Sequence, residues 1–294
     1  MPELPEVETV RRTLAQALVG RRIIGVVFGA FTGCVAGVMP EALHEAVSGH
    51  RVVDVGRRGK YLLIGLDSAR TLAVHLRMTG ELRLVGSDFP ESAYQHLAFQ
   101  LDDGRELRFS DVRKFGRIRL LDPAALGELD QALGPEPLDP DLTAPRFAAM
   151  LAERRRAVKG LLLDQGFIAG IGNIYADEAL FQAGIHPLRA ASSLSPGEAG
   201  ALLDATRCVL RQAIDHRGTT LRNYRDGLGG AGTNQLFLAI YGRPAGEPCP
   251  RCGSPVQRIV VAQRGTRYCP VCQPAPEECA PTDAVAVAGA IKTT

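Results

Sequence analysis

Apolar positions change their spacing twice along the chain. Val7, Val10, Leu14 and Leu18 recur at helical intervals and Gly20 follows, which predicts a first helix over 5–18 with one apolar face. From residue 21 to 121 the period shortens. Runs at 23–28, 52–55, 61–66, 72–76, 81–85, 97–101, 106–109 and 118–121 are branched or alternating, as strands are. Asp102-Asp103-Gly104 is a hairpin signal between two of them. Many short strands with tight turns predict an antiparallel sandwich.

Residues 122–145 are rich in Pro, Gly and Asp and read as a connection, tightest over 134–145. Beyond it the period is helical again, at 146–156, 157–165, 174–183 and 196–214, with a short turn near 220. Ser195-Pro196-Gly197-Glu198 has the form of a capped helix start. The glycine-rich stretch 226–234 is expected to be a flexible loop, and the Ala-, Pro- and Thr-rich end beyond 273 a disordered tail. The expected class is α+β. The expected domains are 1–133, a linker at 134–145, a helical domain at 146–240, a cysteine module at 241–273 and the tail at 274–294.

Composition narrows the setting. The chain has 294 residues, 46% of them hydrophobic, and no Trp, so its cores must rest on aliphatic side chains. It has neither a basic-then-apolar start nor an apolar run of membrane-spanning length. A cytoplasmic protein with no membrane partner and reduced thiols is expected. Cys249-x2-Cys252-x16-Cys269-x2-Cys272 then has the spacing of a four-cysteine site for one structural Zn2+. Cys34 and Cys208 show no ligand spacing and read as small core residues, and Cys279 as an exposed thiol of the tail. Net charge over 241–273 is +4 against +2 for the whole chain, which points this segment at phosphates.

The chain opens Met1-Pro2-Glu3-Leu4-Pro5-Glu6-Val7-Glu8. With Met1 removed, Pro2 presents a secondary amine able to attack an electrophilic carbon and form an iminium ion. Glu3, Glu6 and Glu8 stand within reach to move protons. Pro and Glu also simply favour a first helical turn, and on this stretch alone both readings stand.

PELPEVETVRR at the start, RRGKYLL at 57–63, HLRMTG at 75–80 and DVRKFG at 111–116 resemble the formamidopyrimidine-DNA glycosylase family. So do LLLDQGFIAGIGNIYADEALFQAGIHP at 161–187, YGR at 241–243 and the paired CxxC. The resemblance runs from residue 1 to about 273. It implies an N-terminal β-sandwich with flanking helices, and a C-terminal helix–two-turn–helix domain carrying a zinc finger. The implied activity is excision of oxidised purines from duplex DNA, with strand cleavage, by a monomer associated with the nucleoid. Pro2 is the implied nucleophile at C1′ and Glu3 the proton donor and acceptor. Glu6 is a second acid held against the N-terminal turn. Lys60 and Arg264 grip the phosphates at the lesion, with His75, Asn173 and Tyr241 as further phosphate contacts. Glycines before Asn173 let backbone amides approach a phosphate. Met78, Arg113 and Phe115 fill the gap left by the extruded nucleotide. Arg77 departs from the family's usual Gly, and Val112 and Lys114 from its Pro and Arg. The loop at 226–234, where the family encloses the extruded base, has no aromatic cap. A start of PELPE rather than PEGPE argues against the branch acting on oxidised pyrimidines. Retention of Pro2, Glu3 and Lys60 argues against a DNA-binding protein without chemistry.

Overall fold

The structure is a computed structural model and describes residues 1–275. Expectations for the tail and for Cys279 fall on residues 276–294, outside the described part. The opening helix α1 (Leu4–Leu18) starts one residue before the expected helix and is followed by β1 (Ile23–Phe28) and α2 (Pro40–Val47). Then come β2 (Val52–Arg58), β3 (Tyr61–Leu66), β4 (Thr71–His75), β5 (Gly80–Gly86), β6 (Gln95–Leu101), β7 (Arg105–Asp111) and β8 (Arg117–Leu121).

These strands form two antiparallel four-stranded sheets, in the orders β1-β6-β7-β5 and β2-β3-β4-β8. Alternating burial along β3 puts Leu62, Ile64 and Leu66 inward, and Leu82 and Leu84 do the same on β5. Both sheets deliver apolar side chains to a single core that also holds Val7, Val10, Leu14 and Leu18 of α1. The sandwich is therefore as expected, with α1 laid across it.

Two helices inside the first domain escaped the pattern. The helix α2 buries only Leu43 and Val47, too short a stripe to register as periodic. In the stretch read as linker, α3 (Pro123–Gln131) is capped by Asp122, which accepts a hydrogen bond from the Ala125 amide at 2.8 Å. Its Leu129 packs on Ala73 and Leu121.

The second half contains α4 (Ala144–Ala152), α5 (Val158–Leu162), α6 (Asn173–Ala183) and α7 (Pro196–Asp215). Ser195 and Glu198 cap α7 reciprocally, as the sequence indicated. No helix forms near 220; a single 3-10 turn lies later, at Asn234–Phe237. Leu4, at the start of α1, belongs to this helical core rather than to the sandwich core, so one helix spans both. Cys34 is buried as expected, but Cys208 lies on the exposed face of α7, because its helical phase places it opposite the buried Thr206 and Leu210. Among the described residues no helix is long and apolar enough to cross a membrane.

The cysteine module is a hairpin of β9 (Gln257–Val261) and β10 (Arg264–Tyr268). A buried polar contact locks it to the helices. Lys159 of α5 approaches Asp177 of α6 at 2.6 Å and donates to Thr266 of β10 at 2.6 Å. The Arg267 amide donates to the same Asp177 carboxyl at 3.2 Å. Both ionic side chains are almost fully buried. Removing one partner strands the other charge, so Lys159→Met should cost about 3–5 kcal/mol. Lys159→Met with Asp177→Leu should recover most of that loss. Urea denaturation midpoints of the two variants check this, and equal losses in both would refute it.

Candidate active site and zinc centre

The N-terminal turn is held by its own carboxylates. The Glu3 amide donates to Glu6 Oε2 at 2.8 Å, and the Leu4 amide donates to the Gly170 carbonyl at 3.0 Å. The Glu3 carboxylate lies on the first turn of α6. It accepts from the amides of Gly172 at 2.8 Å, Ile174 at 3.0 Å and Tyr175 at 3.4 Å. These are donors that a helix start leaves unsatisfied, and an anion there also meets the positive end of the helix dipole. The close approach demands glycine. A Cβ on Gly172 would fall 2.4 Å from the Glu3 carboxyl carbon, and Gly170, at φ +95°, would strike Leu4. The amides expected to meet a phosphate are thus mostly taken by Glu3.

Glu6 is fully buried behind Glu3. Its Oε1 accepts from the Tyr175 hydroxyl at 2.6 Å and from the Thr219 amide at 2.7 Å. Burial, then the neighbouring Glu3 charge, raise its pKa to about 7 against these stabilising donors. Lys60 is buried too, and burial lowers its pKa, while Glu3 and Glu6 pull the other way. Arg264 and Arg77 add to the lowering, so Lys60, Glu3, Glu6 and Arg264 lie within one another's fields. His75 is held neutral: burial, then Arg77 and Lys60, push its pKa down to about 3. Its Nδ1 accepts the Arg77 amide at 3.0 Å, which leaves Nε2 as the protonated, donating nitrogen. Glu3, Lys60, His75 and Arg264 therefore share one electrostatic neighbourhood, reached from the segment before α1, the β2–β3 turn, β4 and the hairpin, and Pro2, next to Glu3, is buried.

The Lys60 turn has a support that the sequence did not disclose. Glu136 accepts from the Gly59 amide at 2.6 Å and from both terminal nitrogens of Arg57 at 2.8 and 2.6 Å. Arg57 also reaches Glu8 at 3.1 Å. Glu178 does the same for Tyr241, accepting the amides of Ala239, Ile240 and Tyr241 at 2.7–2.8 Å. Both glutamates read as ordinary helix or linker residues, and only the fold brings the amides to them.

Met78, Arg113 and Phe115 form one exposed cluster between the β4–β5 and β7–β8 loops. Arg113 stands 3.0 Å from Met78 Sδ and stacks its guanidinium over Phe115 at 4.7 Å. Met78 is 40% and Phe115 47% exposed, which a core role excludes. Arg77 and Lys114 have positive φ, 55° and 59°. Arg77 thus holds the left-handed backbone that glycine takes without strain.

The loop at 226–234 is anchored rather than flexible. Asp226 is buried, accepts from the amides of Leu228 at 2.9 Å and Gly230 at 2.8 Å, and pairs with Arg217. The Gly227 amide donates to Thr13 of α1 at 3.1 Å, and its carbonyl accepts from Leu84 of β5 at 2.8 Å. An aspartate in a glycine run supplies its own turn, a signal that was present in the sequence.

At the finger, the sulfurs of Cys249, Cys252, Cys269 and Cys272 all lie within 4.8 Å of one another. Cys249–Cys272 is 3.9 Å and Cys252–Cys269 is 3.4 Å. Tetrahedral zinc with bonds of about 2.3 Å needs sulfurs about 3.8 Å apart, so the cluster fits one zinc ion. Amides of Arg251 and Cys272 point at Cys249 and Cys269 sulfur, each at 3.4 Å, as donors to thiolates. Ala262 and Gln263 turn the hairpin with positive φ, 47° and 60°, and Arg264 follows at the exposed tip. Asn173 donates to the Gly265 carbonyl at 3.1 Å, tying the tip to the start of α6.

Residues 1–118 match the formamidopyrimidine-DNA glycosylase N-terminal domain. Residues 133–225 match the same enzyme's H2TH domain, and 246–275 a zinc finger found in FPG and IleRS. The chain is 54% identical over 273 residues to a formamidopyrimidine-DNA glycosylase of Herpetosiphon aurantiacus, covering 93% of this chain and 100% of that one. It is 50% identical to one of Chloroflexus aurantiacus, over 93% and 98%. Among solved structures, a Lactococcus lactis FPG mutant in complex with Fapy-dG containing DNA superposes with TM-score 0.87 at 38% identity, covering 93% of this chain and 100% of that one. The L. lactis protein with abasic-site DNA gives 0.86 over the same shares.

Glu6 carries a pH prediction. Its folded pKa of about 7 lies above the ordinary 4.5. Its contribution to stability is therefore fully present below about pH 4.5 and is lost as pH rises through about 7. Glu6→Gln should flatten the fall in thermal midpoint across that window. Parallel curves for the two proteins would count against a buried, high-pKa Glu6.

Proposed function

The chain belongs to the formamidopyrimidine-DNA glycosylase family, and from that premise we propose how its own residues remove a damaged purine and cut the strand. Its zinc is structural: Cys249, Cys252, Cys269 and Cys272 hold it, and it supplies folding free energy rather than reaction chemistry. The substrate is damaged duplex DNA, with 8-oxoguanine and formamidopyrimidines as the bases excised.

Once Met1 is removed, the Pro2 nitrogen attacks C1′ of the lesion nucleoside. The bond from C1′ to the base breaks and its electron pair leaves with the base. Nitrogen and sugar are then joined through C1′. The nitrogen loses its proton, and the C1′–O4′ bond breaks with its electron pair going to O4′, which takes a proton. The ring-opened sugar is left as an iminium ion that acidifies C2′ and allows both flanking phosphodiesters to be eliminated. Glu3 gives and takes protons at the sugar. Three backbone amides on its carboxylate fix its position. That cradle is the observation that best supports the reading, since three amides of the helical half hold the carboxylate of the residue next to Pro2.

Lys60, burdened by burial and by Arg264, favours a neutral amine at Pro2 and receives the phosphate flanking the lesion. Arg264 and Tyr241 extend that grip, as does Asn173 through the side-chain amide hydrogen not given to Gly265. His75 offers Nε2–H. The lesion must leave the stack to reach Pro2. Met78 and Phe115 suit an apolar wedge, and Arg113 between them can bond to the base left opposite. The protein acts as a monomer at the nucleoid.

Two outcomes test this. Pro2→Gly should abolish adducts trapped by borohydride on lesion DNA, with duplex affinity kept within about threefold. Undiminished trapping would remove the ring nitrogen from the chemistry. Chelating the zinc should release the hairpin and weaken duplex binding, and the slope of log affinity against log salt should fall by about one or more as Arg264 is lost. An unchanged slope would detach the finger from the phosphates.

A further inference from the structure

A chain of buried side chains leads from Glu6 away from the lesion site. The Tyr175 hydroxyl bonds to Glu6 at 2.6 Å and to Thr219 Oγ1 at 2.9 Å. Thr219 Oγ1 accepts from Asn234 Nδ2 at 2.9 Å. Asn234 is 3% exposed; its Oδ1 faces His216 Nδ1 at 3.4 Å, and its amide donates to Gly218 at 3.1 Å. His216 is half-buried and stacks on Phe237 at 3.9 Å. Tyr175, Asn234 and Phe237 also line a cavity of about 200 Å³.

Two hydroxyls in series have only two consistent arrangements, because each carries one proton. In one, Asn234 donates to Thr219, Thr219 donates to Tyr175 and Tyr175 donates to an ionised Glu6. In the other, a protonated Glu6 donates to Tyr175, Tyr175 to Thr219 and Thr219 to an acceptor at 234. The side-chain nitrogen of Asn234 faces Thr219, which selects the first. The second would leave the Thr219 proton without an acceptor unless the amide turned over.

We propose that Asn234 is a positioning residue that fixes the direction of this chain and so keeps Glu6 Oε1 an acceptor toward Tyr175, favouring the ionised carboxylate. Other charged or titratable groups facing Glu6 are Glu3 from the N-terminal turn, Lys60 from the β2–β3 turn and Tyr224, whose hydroxyl donates to the Glu6 carbonyl at 3.1 Å. Tyr175 stays protonated, its pKa well above the usual value through burial and then the Glu6 charge. None of these contacts Asn234, whose effect passes only through Thr219. The importance of Glu6 for catalysis rests on the function proposed above; the direction of the chain does not.

The test is a double-mutant cycle on the free protein, following the Glu6 carboxyl carbon by carbon-13 NMR as pH is raised. Asn234→Asp replaces the donor by an acceptor of equal size. It should raise the Glu6 midpoint by about one pH unit, a tenfold gain in proton affinity. Part of any rise is through-space repulsion from the new charge. In a Thr219→Val background the relay is cut, and the shift should fall to less than about half. Equal shifts in both backgrounds, or none in either, overturn the proposal. Should the aspartate variant fail to fold, Asn234→Leu in the same two backgrounds is read by the same criterion, with a smaller rise expected. No DNA is present, so a failed titration and a failed borohydride trap are separate results.

Discussion

The structure turns on one carboxylate seated at the start of one helix. Glu3 comes from the N-terminal segment of the sandwich half, and the amides it occupies belong to α6 of the helical half. A charge on the first turn of a helix is worth about 0.3–1 kcal/mol at a surface and up to about 2 kcal/mol where partly buried. The positional consequence is larger than the energetic one. Pro2 is the neighbouring residue, so the same contact that joins the halves also fixes the position of the proposed nucleophile. Neither the glycines at 170 and 172 nor the short reach of Glu3 leaves room for an alternative seat.

Placing Glu6 directly behind Glu3 crowds two carboxyl groups in a dry interior, where their charges repel strongly. The protein answers with donors rather than with a neutralising salt bridge. Glu3 takes three amides, and Glu6 takes two amides and a phenol. Lys60 stands in the same field, and burial lowers its pKa. A strong ion pair there would hold Lys60 away from a phosphate. The crowded, donor-stabilised arrangement is what the proposed contact of Lys60 with a phosphate requires.

Much of this was legible because it is local. Helix α1 follows from four apolar residues at helical spacing, the strands from alternation, and the finger from two CxxC turns whose sulfurs do converge. What escaped was either too short or too distant. The stripe of α2 is two residues long, and α3 hides behind Pro123 and a cap. Glu136, Glu178 and Asn234 matter only through amides or hydroxyls from other segments, a relation that no single-sequence period encodes. The loop at 226–234 failed differently: its glycines suggested freedom, while Asp226 within the same run supplies the bonds that remove it. Cys208 was misplaced because residue type was weighed above helical phase.

The contact between Lys159, Asp177 and Thr266 raises the question of why a hairpin should be fastened by buried charge. Apolar residues of similar size would hold it at least as strongly, since the desolvation of two ions is of the same order as their attraction. Apolar packing, however, tolerates sliding. Lys159 has one position from which it meets both Asp177 and Thr266, and the Arg267 amide has one register in which it meets Asp177. Shifting β10 by one residue would turn Thr266 outward and cost Lys159 and Asp177 their hydrogen bonds to the hairpin. Arg264 sits two residues before Thr266 on the same strand, so the register that satisfies the buried pair is also the register that delivers Arg264 to the field of Lys60. A one-residue slip moves a strand by about 3.3 Å, more than a hydrogen bond to a phosphate can absorb. Buried charge is thus retained for position rather than for strength, and it sets the finger against the same helix start that Glu3 occupies.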